Sequence, residues 1–341
     1  MKRSGLLQDS FNSGTKGRDA MRRVALIYNP MSGQHPGRRA AQIADVAAVL
    51  EGAGIEVRAI ATESPQSAGR QAQEAVRDGC DTVIACGGDG TVHEVLQRMV
   101  GGEAALGVVP MGTANALATD LGLPGSPVKA VKMLLGATPV RISVGHLFYR
   151  SVEGGERSRY FIVAAGVGAD AFFFSRLDSR LKQRFGYVVY LVEALRLWAT
   201  YTFPMFAASF VESGREMPRE VEASQLLAVR ISNFGGLVGN LAPGASISNG
   251  KLRVIAFKTF SRVRYLRFLV AVLCGRHSYS RTIELVKCVS VECRNLEGSA
   301  EQLFVEADGE LLGTLPVRIE VEPQALNLLI PAKALGRITD L

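Results

Sequence analysis

The chain has 341 residues, of which 48% are hydrophobic and 21% charged, and it carries a formal net charge of +7. This length is sufficient for two domains with separate cores, and the composition excludes a wholly disordered chain. The positive charge favours an anionic partner such as a nucleotide or a membrane surface. The basic residues lie in small, scattered groups, however, so they do not predict nucleic-acid binding.

The cysteines and the N-terminal residues predict a cytoplasmic protein. The five cysteines form no CxxC pair, which is typical of free thiols in a reducing compartment. No run of residues reaches the roughly 18 apolar residues of a membrane span. Residues 1–20 are polar and lack the apolar core of a secretory signal, so we interpret them as a disordered tail before a folded part that begins near Met21.

Residues 21–139 alternate between short apolar segments and segments with helical spacing of apolar residues. The apolar segments predict strands at 24–28, 55–60, 82–85 and 106–110. The helical patterns lie at about 38–52, 66–77 and 92–100, with a last helix that runs toward Leu121. This alternation predicts an α/β domain with a doubly wound, mostly parallel sheet, in which ligands bind at the carboxyl ends of the strands.

A polar segment follows each predicted strand, at 29–33, 62–64, 87–91 and 112–115. The third segment is the turn Gly87-Gly88-Asp89-Gly90-Thr91, and a glycine-rich turn between a strand and a helix directs backbone N–H groups at a phosphate. Asp89 is the only charge in this turn, and a carboxylate beside phosphates is suited to holding Mg²⁺. Taken alone, the turn could also be a plain loop. Four polar segments at one edge of the sheet together predict a nucleotide-sized site.

After Pro139 the pattern changes to strand-like runs separated by polar turns, which predicts an antiparallel, β-rich second domain over residues 140–331. The runs lie at 140–144, 160–165, 206–211, 224–231, 252–257, 282–291, 304–307 and 317–321. Two helical inserts, at about 186–200 and 262–273, are apolar with a basic fringe. Each suits either contact with a membrane surface or packing on a sheet with arginines that reach solvent. Residues 332–341 form a C-terminal segment that could pack back on the first domain.

Several motifs occur in the order and spacing of one family. They are Asn29-Pro-Met-Ser-Gly33, Gly87-Gly-Asp-Gly-Thr91 with Glu94, Pro110-Met-Gly-Thr-Ala-Asn115 and Asp308-Gly-Glu310. Through them the chain resembles the diacylglycerol kinase catalytic family, which includes bacterial soluble lipid kinases and the sphingosine kinases. The resemblance implies a nucleotide domain of the Rossmann or phosphofructokinase kind and a C-terminal antiparallel β-sandwich. It also implies that ATP and a lipid meet in the cleft between the two domains.

The resemblance further implies the cofactors ATP and Mg²⁺ and a set of site residues. Those implied to bind the nucleotide are Asn29, Ser32, Gly33, Thr62, Gly87, Gly88, Asp89, Gly90, Thr91, Glu94 and Thr113. Asp89 would hold the Mg²⁺. Asp308 and Glu310 match the late acidic pair, and Glu310 would accept the proton of the lipid hydroxyl. By itself Asp308-Gly309-Glu310 predicts a hairpin turn, and a hairpin tip could present a carboxylate across a cleft.

The chain departs from the family pattern at two positions, and its histidines carry little signal. Asn249 stands where family members with a second, structural Mg²⁺ have Asp, and an amide offers that ion no charge, so we do not expect a second metal. Ala114 stands where glycine is common, and its methyl group should be tolerated. His93 lies in the helix after the glycine turn, where we expect it to face solvent with a structural role.

The function that these features predict is an ATP-dependent kinase of a lipid hydroxyl, associated peripherally with an anionic membrane. Diacylglycerol, a sphingoid base and phosphatidylglycerol remain open as the acceptor, and a homodimer is compatible with the sequence. The alternatives are an NAD kinase-like enzyme with a soluble acceptor and a nucleotide-gated lipid-binding protein without turnover. Against the first alternative, the chain lacks the Asn-Glu pair that an NAD kinase would be expected to carry after the glycine turn. The second alternative is supported by Asn249, which replaces the family's Asp.

Overall fold

The computed structural model describes residues 21–31, 36–176, 196, 198–235, 239, 241–274, 281–299 and 301–339. The predicted disordered tail, the site residues Ser32 and Gly33 and most of the predicted insert at 186–200 lie outside these residues. None of the helices within them is long and apolar enough to cross a membrane.

The first part of the chain folds as the predicted α/β domain. Its elements are β1 (Arg23–Tyr28), α1 (Arg39–Glu51), β2 (Glu56–Ala61), α2 (Ser67–Arg77), β3 (Thr82–Gly87), α3 (Asp89–Met99), β4 (Ala105–Pro110), α4 (Ala116–Asp120) and α5 (Pro127–Leu134). The strands pair in parallel in the order β2-β1-β3-β4. Every residue of β3 and β4 is buried, as expected of parallel strands covered on both faces. Helix α5 was not among the predicted elements, although its first residue is a proline, a favourable position for that residue.

The second part is the predicted antiparallel β-sandwich. Its elements are β5 (Thr138–Ser151), β6 (Glu156–Phe161), β7 (Ala164–Gly168), α6 (Ala169–Arg176), β8 (Phe206–Val211), β9 (Arg219–Ala223), β10 (Gln225–Val229), β11 (Leu252–Phe257), α7 (Arg262–Leu273), β12 (Ile283–Cys288), β13 (Ser290–Asn295), β14 (Phe304–Ala307), β15 (Glu310–Ile330) and α8 (Ala332–Thr339). The predicted runs at 160–165 and 282–291 each cover parts of two strands rather than one.

The long strand β15 joins the two halves. Its first residues pair with β14, its middle with β13 and β5, and near its end Leu328 pairs in parallel with Leu106 of β4. Two residues of α8, Ala334 and Ile338, are buried in the same core as the first strands. The turn between β14 and β15, which carries Asp308, is therefore anchored to the sheet that carries the glycine turn.

Candidate active site

The loops after β3 and β4 touch each other backbone to backbone. A Cβ atom on Gly112 would clash with Cα of Gly88, and a Cβ atom on Gly87 would clash with the side chain of Thr91. Glycine is therefore required for this close approach. Asp89 begins α3, whose first N–H groups have no partner within the helix, so the touching loops frame a helix N-terminus suited to an anion.

Asn115 shapes the loop that carries Thr113. Its backbone has φ = 50°, a conformation that asparagine tolerates better than most residues. Its side chain both accepts from N–H of Gly112 and donates to the carbonyl of Gly112, each at 2.9 Å. Thr113 is thereby exposed at the tip of a closed loop, where its hydroxyl is accessible to a ligand.

A buried arginine that the sequence analysis did not identify lies beside this loop. Arg39, the first residue of α1, donates to the carbonyl of Met111 at 2.9 Å and is 4% exposed. Together with Thr113 and Asn115 it lines a cavity of about 320 Å³. Burial lowers the pKa of Arg39, yet a guanidinium keeps its charge at neutral pH, so this cavity combines a cation with backbone donors.

Asp89 is held at the junction of α3 and α4. Its Oδ1 accepts from N–H of Ala116 at 2.7 Å. Burial raises the pKa of Asp89, the nearby charge of Asp308 adds to that rise, and the hydrogen bond from Ala116 opposes it. A divalent cation beside this carboxylate would stabilise its ionised form. Among the described residues no group of three or more acidic, histidine or cysteine side chains could hold a metal.

The predicted residues of the first two loops are engaged locally. Oδ1 of Asn29 accepts from N–H of Met31 at 2.8 Å, and N–H of Thr62 donates to the carbonyl of Tyr28 at 2.8 Å. The two loops therefore lie side by side at the same sheet edge as the glycine turn. Glu94, predicted as a nucleotide contact, instead accepts from N–H groups at the start of α2, those of Gln66 at 3.2 Å and Ala68 at 3.1 Å.

Asp308 is buried in the hairpin between β14 and β15. Its side chain is 2% exposed. Oδ1 accepts from N–H of Val163 at 2.9 Å and of Ala164 at 3.1 Å, and Oδ2 accepts from N–H of Ile162 at 3.0 Å. The backbone of Asp308 has φ = 49° and that of Gly309 φ = 84°, as in a tight hairpin turn. These bonds fix the turn and keep the Asp308 carboxylate away from solvent.

His93 links the two acidic residues, and the expectation that it faces solvent is wrong. Its side chain is 0% exposed, with Nδ1 at 3.2 Å from Oδ2 of Asp308 and Nε2 at 3.6 Å from Oε2 of Glu310. Its neighbour Gln97 donates to the carbonyls of His93 and Tyr160, and the same amide nitrogen lies 3.5 Å from Nε2 of His93. The signal available in the sequence was weak, because the partners of His93 are more than two hundred residues away in the chain.

Glu310 lies beside the glycine turn. Its side chain is 35% exposed, and a Cβ atom built on Gly90 would lie 3.9 Å from its Oε1. Arg159, a second residue that sequence analysis missed, has a guanidinium nitrogen 3.6 Å from Oε2. The structure thus brings Glu310, His93 and Asp308 together with the turn at 87–91, while Asn29 and Thr62 lie at neighbouring strand ends.

The segment around Asn249 encloses the guanidinium group of Arg230. Arg230, which is fully buried, donates to four backbone carbonyls at 2.6 to 3.0 Å, those of Ser143, Ile247, Asn249 and Lys251. Burial lowers the pKa of Arg230 to about 10, so it stays charged at neutral pH. Carbonyl oxygens that could ligate a hard cation are therefore already bound to a guanidinium, and the segment does not fit a second Mg²⁺.

Comparison with known proteins identifies both halves of the chain. The family model of the diacylglycerol kinase catalytic domain matches residues 23–147, and that of the YegS C-terminal NAD kinase beta sandwich-like domain matches residues 162–330. A diacylglycerol kinase of Bacillus subtilis is 27% identical over 326 residues, which cover 94% of this chain and 100% of that protein. A diacylglycerol kinase of Mycobacterium tuberculosis is 27% identical over 325 residues, which cover 94% of this chain and 99% of that protein.

The fold is also that of a solved structure. A crystal structure of a diacylglycerol kinase from Bacillus anthracis strain Sterne aligns with a TM-score of 0.69 at 22% identity, covering 92% of this chain and 98% of that chain. At this identity the likeness concerns the fold.

Proposed function

The chain belongs to the diacylglycerol kinase catalytic family and is a lipid kinase, and we propose that it transfers the γ-phosphate of ATP to a lipid hydroxyl with Mg²⁺. The observation that carries this proposal is the position of Glu310, whose carboxylate lies next to Gly90 of the glycine turn. Phosphoryl transfer needs a nucleotide, an acceptor hydroxyl and a carboxylate within reach of one another, and Glu310 is a carboxylate beside a turn suited to phosphates.

The α/β domain would hold the nucleotide. The N–H groups at the start of α3 and the loop of Thr113 would contact its phosphates, and the Arg39 guanidinium would add positive charge at the cavity beside that loop. Asp89 would hold the Mg²⁺, which supplies charge neutralisation at the phosphates when it is bound. It remains a prediction that the nucleotide also contacts Asn29, Ser32, Gly33 and Thr62.

Glu310 would act as the general base. As the acceptor oxygen forms its bond to the γ-phosphorus, the bond from that phosphorus to the β,γ-bridging oxygen breaks, and the proton of the lipid hydroxyl passes to Glu310. The products are a phosphorylated lipid and ADP. Asp308 is too buried to touch a substrate, so its part is to fix the hairpin that carries Glu310 and to hold that hairpin against His93 of α3.

Diacylglycerol is the first acceptor to test, because the similar proteins from Bacillus subtilis and Mycobacterium tuberculosis are named diacylglycerol kinases. The full chain should be incubated with γ-labelled ATP and Mg²⁺ and a panel of acceptors in mixed micelles, comprising diacylglycerol, a sphingoid base and phosphatidylglycerol, with NAD as a soluble comparison. We expect label in one or more lipids and none in NAD. Label in NAD alone, or ATP binding by folded protein without transfer to any lipid, would contradict the proposal.

A further inference from the structure

Helix α7 is apolar on two opposite faces. Its inner face carries Tyr265, Phe268 and Val272, which are at most 5% exposed in the core that also contains Phe257. Its outer face carries Val263, Leu266 and Val270, which are 64%, 44% and 50% exposed. At 3.6 residues per turn these three side chains fall within about 60° of the helix circumference, so they form one stripe. A helix at a protein–water boundary normally has a polar outer face.

Phe260 extends the stripe, and arginines flank it. Phe260 precedes α7 and is 73% exposed. Arg262, Arg264 and Arg267 are all exposed, and helical spacing places Arg262 on one side of the stripe and the other two on the opposite side. No acidic residue occurs between Phe260 and Cys274. The guanidinium groups of Arg264 and Arg267 have no ion-pair or hydrogen-bond partner within the described ranges. The outer surface is thus an apolar stripe between unneutralised cations.

We propose that this surface, comprising Phe260, Val263, Leu266, Val270, Arg264 and Arg267, docks the protein on an anionic lipid bilayer. An interfacial helix needs an apolar face that enters the acyl boundary and basic residues at the level of the headgroups, and α7 provides both. A protein partner would need acidic side chains that match the arginines around an apolar patch. An anionic bilayer matches both features, because its headgroups are negative and its acyl region is apolar along the whole stripe. Elsewhere in the described residues, the exposed large hydrophobic side chains, such as Val152 and Met217, are scattered along the chain.

The inner face of α7 leads to the acidic hairpin through a series of aromatic contacts. Ring centroids lie 4.4 Å apart for Tyr265 and Phe203, 5.0 Å for Phe203 and Tyr201, and 4.9 Å for Tyr201 and Phe172. Phe172 in turn lies 6.1 Å from Phe304, the first residue of β14, and the hairpin with Glu310 follows that strand. The docking surface is therefore packed, through aromatic side chains, onto the element that presents the base.

This inference rests on the proposed function, which identifies the surface to be bound as lipid. Its test measures vesicle binding and needs no catalytic turnover. The full chain should be sedimented with two kinds of vesicle, one of phosphatidylcholine alone and one of phosphatidylcholine with about 30% phosphatidylglycerol. The second composition gives a strongly negative surface. We expect binding to the anionic vesicles that weakens with salt. The double variant Val263→Glu and Leu266→Glu should lose at least tenfold in affinity, whereas Met217→Glu, at an exposed apolar position between β8 and β9, should bind as the wild type does.

Substitution of the two arginines tests the electrostatic part of the binding independently. Arg264→Gln and Arg267→Gln should each lower affinity for anionic vesicles about fivefold and leave the weak binding to phosphatidylcholine unchanged. Because all these positions are exposed, the variants should keep the wild-type melting temperature.

Three outcomes would overturn the inference. They are failure of the wild type to bind anionic vesicles, wild-type affinity in the Val263→Glu, Leu266→Glu variant, and a wild-type dimer that this variant abolishes without any vesicle binding. Phosphorylation of a short-chain diacylglycerol dissolved below its micelle concentration separates this inference from the proposed function. The variant should retain that reaction, and its absence in the wild type would count against the kinase proposal alone.

Discussion

Nδ1 of His93 lies 3.2 Å from Oδ2 of Asp308, and both side chains are hidden from solvent. An ionised carboxylate can only accept a hydrogen bond, so we infer that Nδ1 carries the ring proton. His93 belongs to α3 of the α/β domain and Asp308 to the hairpin of the β-sandwich. This contact therefore ties the hairpin that carries Glu310 to the helix that follows the glycine turn, and Oε2 of Glu310 lies 3.6 Å from Nε2 of His93.

The first prediction concerns this pair. His93→Gln and Asp308→Asn should each lower kcat about 10- to 100-fold without raising KM for ATP, because the hairpin that presents Glu310 loses its contact with α3 while the nucleotide loops are unchanged. The double variant should be no slower than the slower single variant, since the two residues act as one unit. Steady-state kinetics with thermal melting would measure this.

His146→Gln is the matched control, because His146 of β5 is also a largely buried histidine near a carboxylate, 3.8 Å from Glu322. If His93→Gln kept the wild-type kcat, or if its loss matched that of His146→Gln, the positioning role would be refuted.

A second prediction follows from Arg230. Chelation of divalent metal in the absence of nucleotide should leave the melting temperature unchanged, because a guanidinium already binds the carbonyls of Asn249 and its neighbours. Arg230→Met should lower the free energy of unfolding by about 3–4 kcal/mol, since four buried carbonyls lose their donor. Arg294→Met, at an exposed arginine on β13, should change it by less than about 0.5 kcal/mol. A fall in melting temperature on chelation would show a structural metal after all.

The α/β domain could be predicted from the sequence because buried parallel strands appear as short apolar runs with polar ends, as in Thr82–Gly87. Helix α7 was also located, at 262–273, but the sequence could not distinguish an inner apolar face from an outer one. Strand β15 was predicted only at 317–321. Its pairing with β5 shifts register on both sides of that segment, between Thr314 and Val317 and between Glu322 and Leu326, and such irregularities interrupt the alternation that identifies a strand.

The glycine turn and Glu310 could be placed in one site only through the resemblance, since no local pattern relates residues so far apart. The roles of His93, Arg39 and Arg230 could not be predicted. Each depends on which distant backbone or carboxylate the fold brings within hydrogen-bonding distance, and a lone histidine or arginine in a sequence carries no sign of that partner.

The third prediction concerns a buried pair of carboxylates behind the hairpin. The carboxylates of Asp170 and Glu306 both lie against Gly166, and Oδ2 of Asp170 has no hydrogen-bond partner within the described part of the chain. Burial raises the pKa of Asp170 to about 7, and burial followed by the charge of Asp170 raises that of Glu306 well above its ordinary value. The folded state therefore binds protons more tightly than the unfolded state does.

The contribution of the protonated pair to the free energy of unfolding should be complete below pH 3.8, the ordinary pKa of Asp170. It should be lost as the pH rises through about 7. We expect the free energy of unfolding to fall by on the order of 2–4 kcal/mol between pH 5 and 8. Glu306→Gln should flatten that decline, and Glu222→Gln, at an exposed carboxylate on β9, should not. Denaturant unfolding at a series of pH values measures the effect, and an equal slope in all three proteins would contradict the assignment.

The most direct test of the account is the rate of label transfer from γ-labelled ATP to diacylglycerol by wild type, Glu310→Gln and the control Glu222→Gln, with ATP binding measured in parallel. Glutamine keeps the shape of Glu310 but cannot accept the hydroxyl proton, so we predict a fall in kcat of about 10²- to 10⁴-fold with unchanged ATP affinity and wild-type activity in the control. Transfer by Glu310→Gln at the wild-type rate would contradict the assignment of Glu310 as the base that faces the phosphate-binding turn.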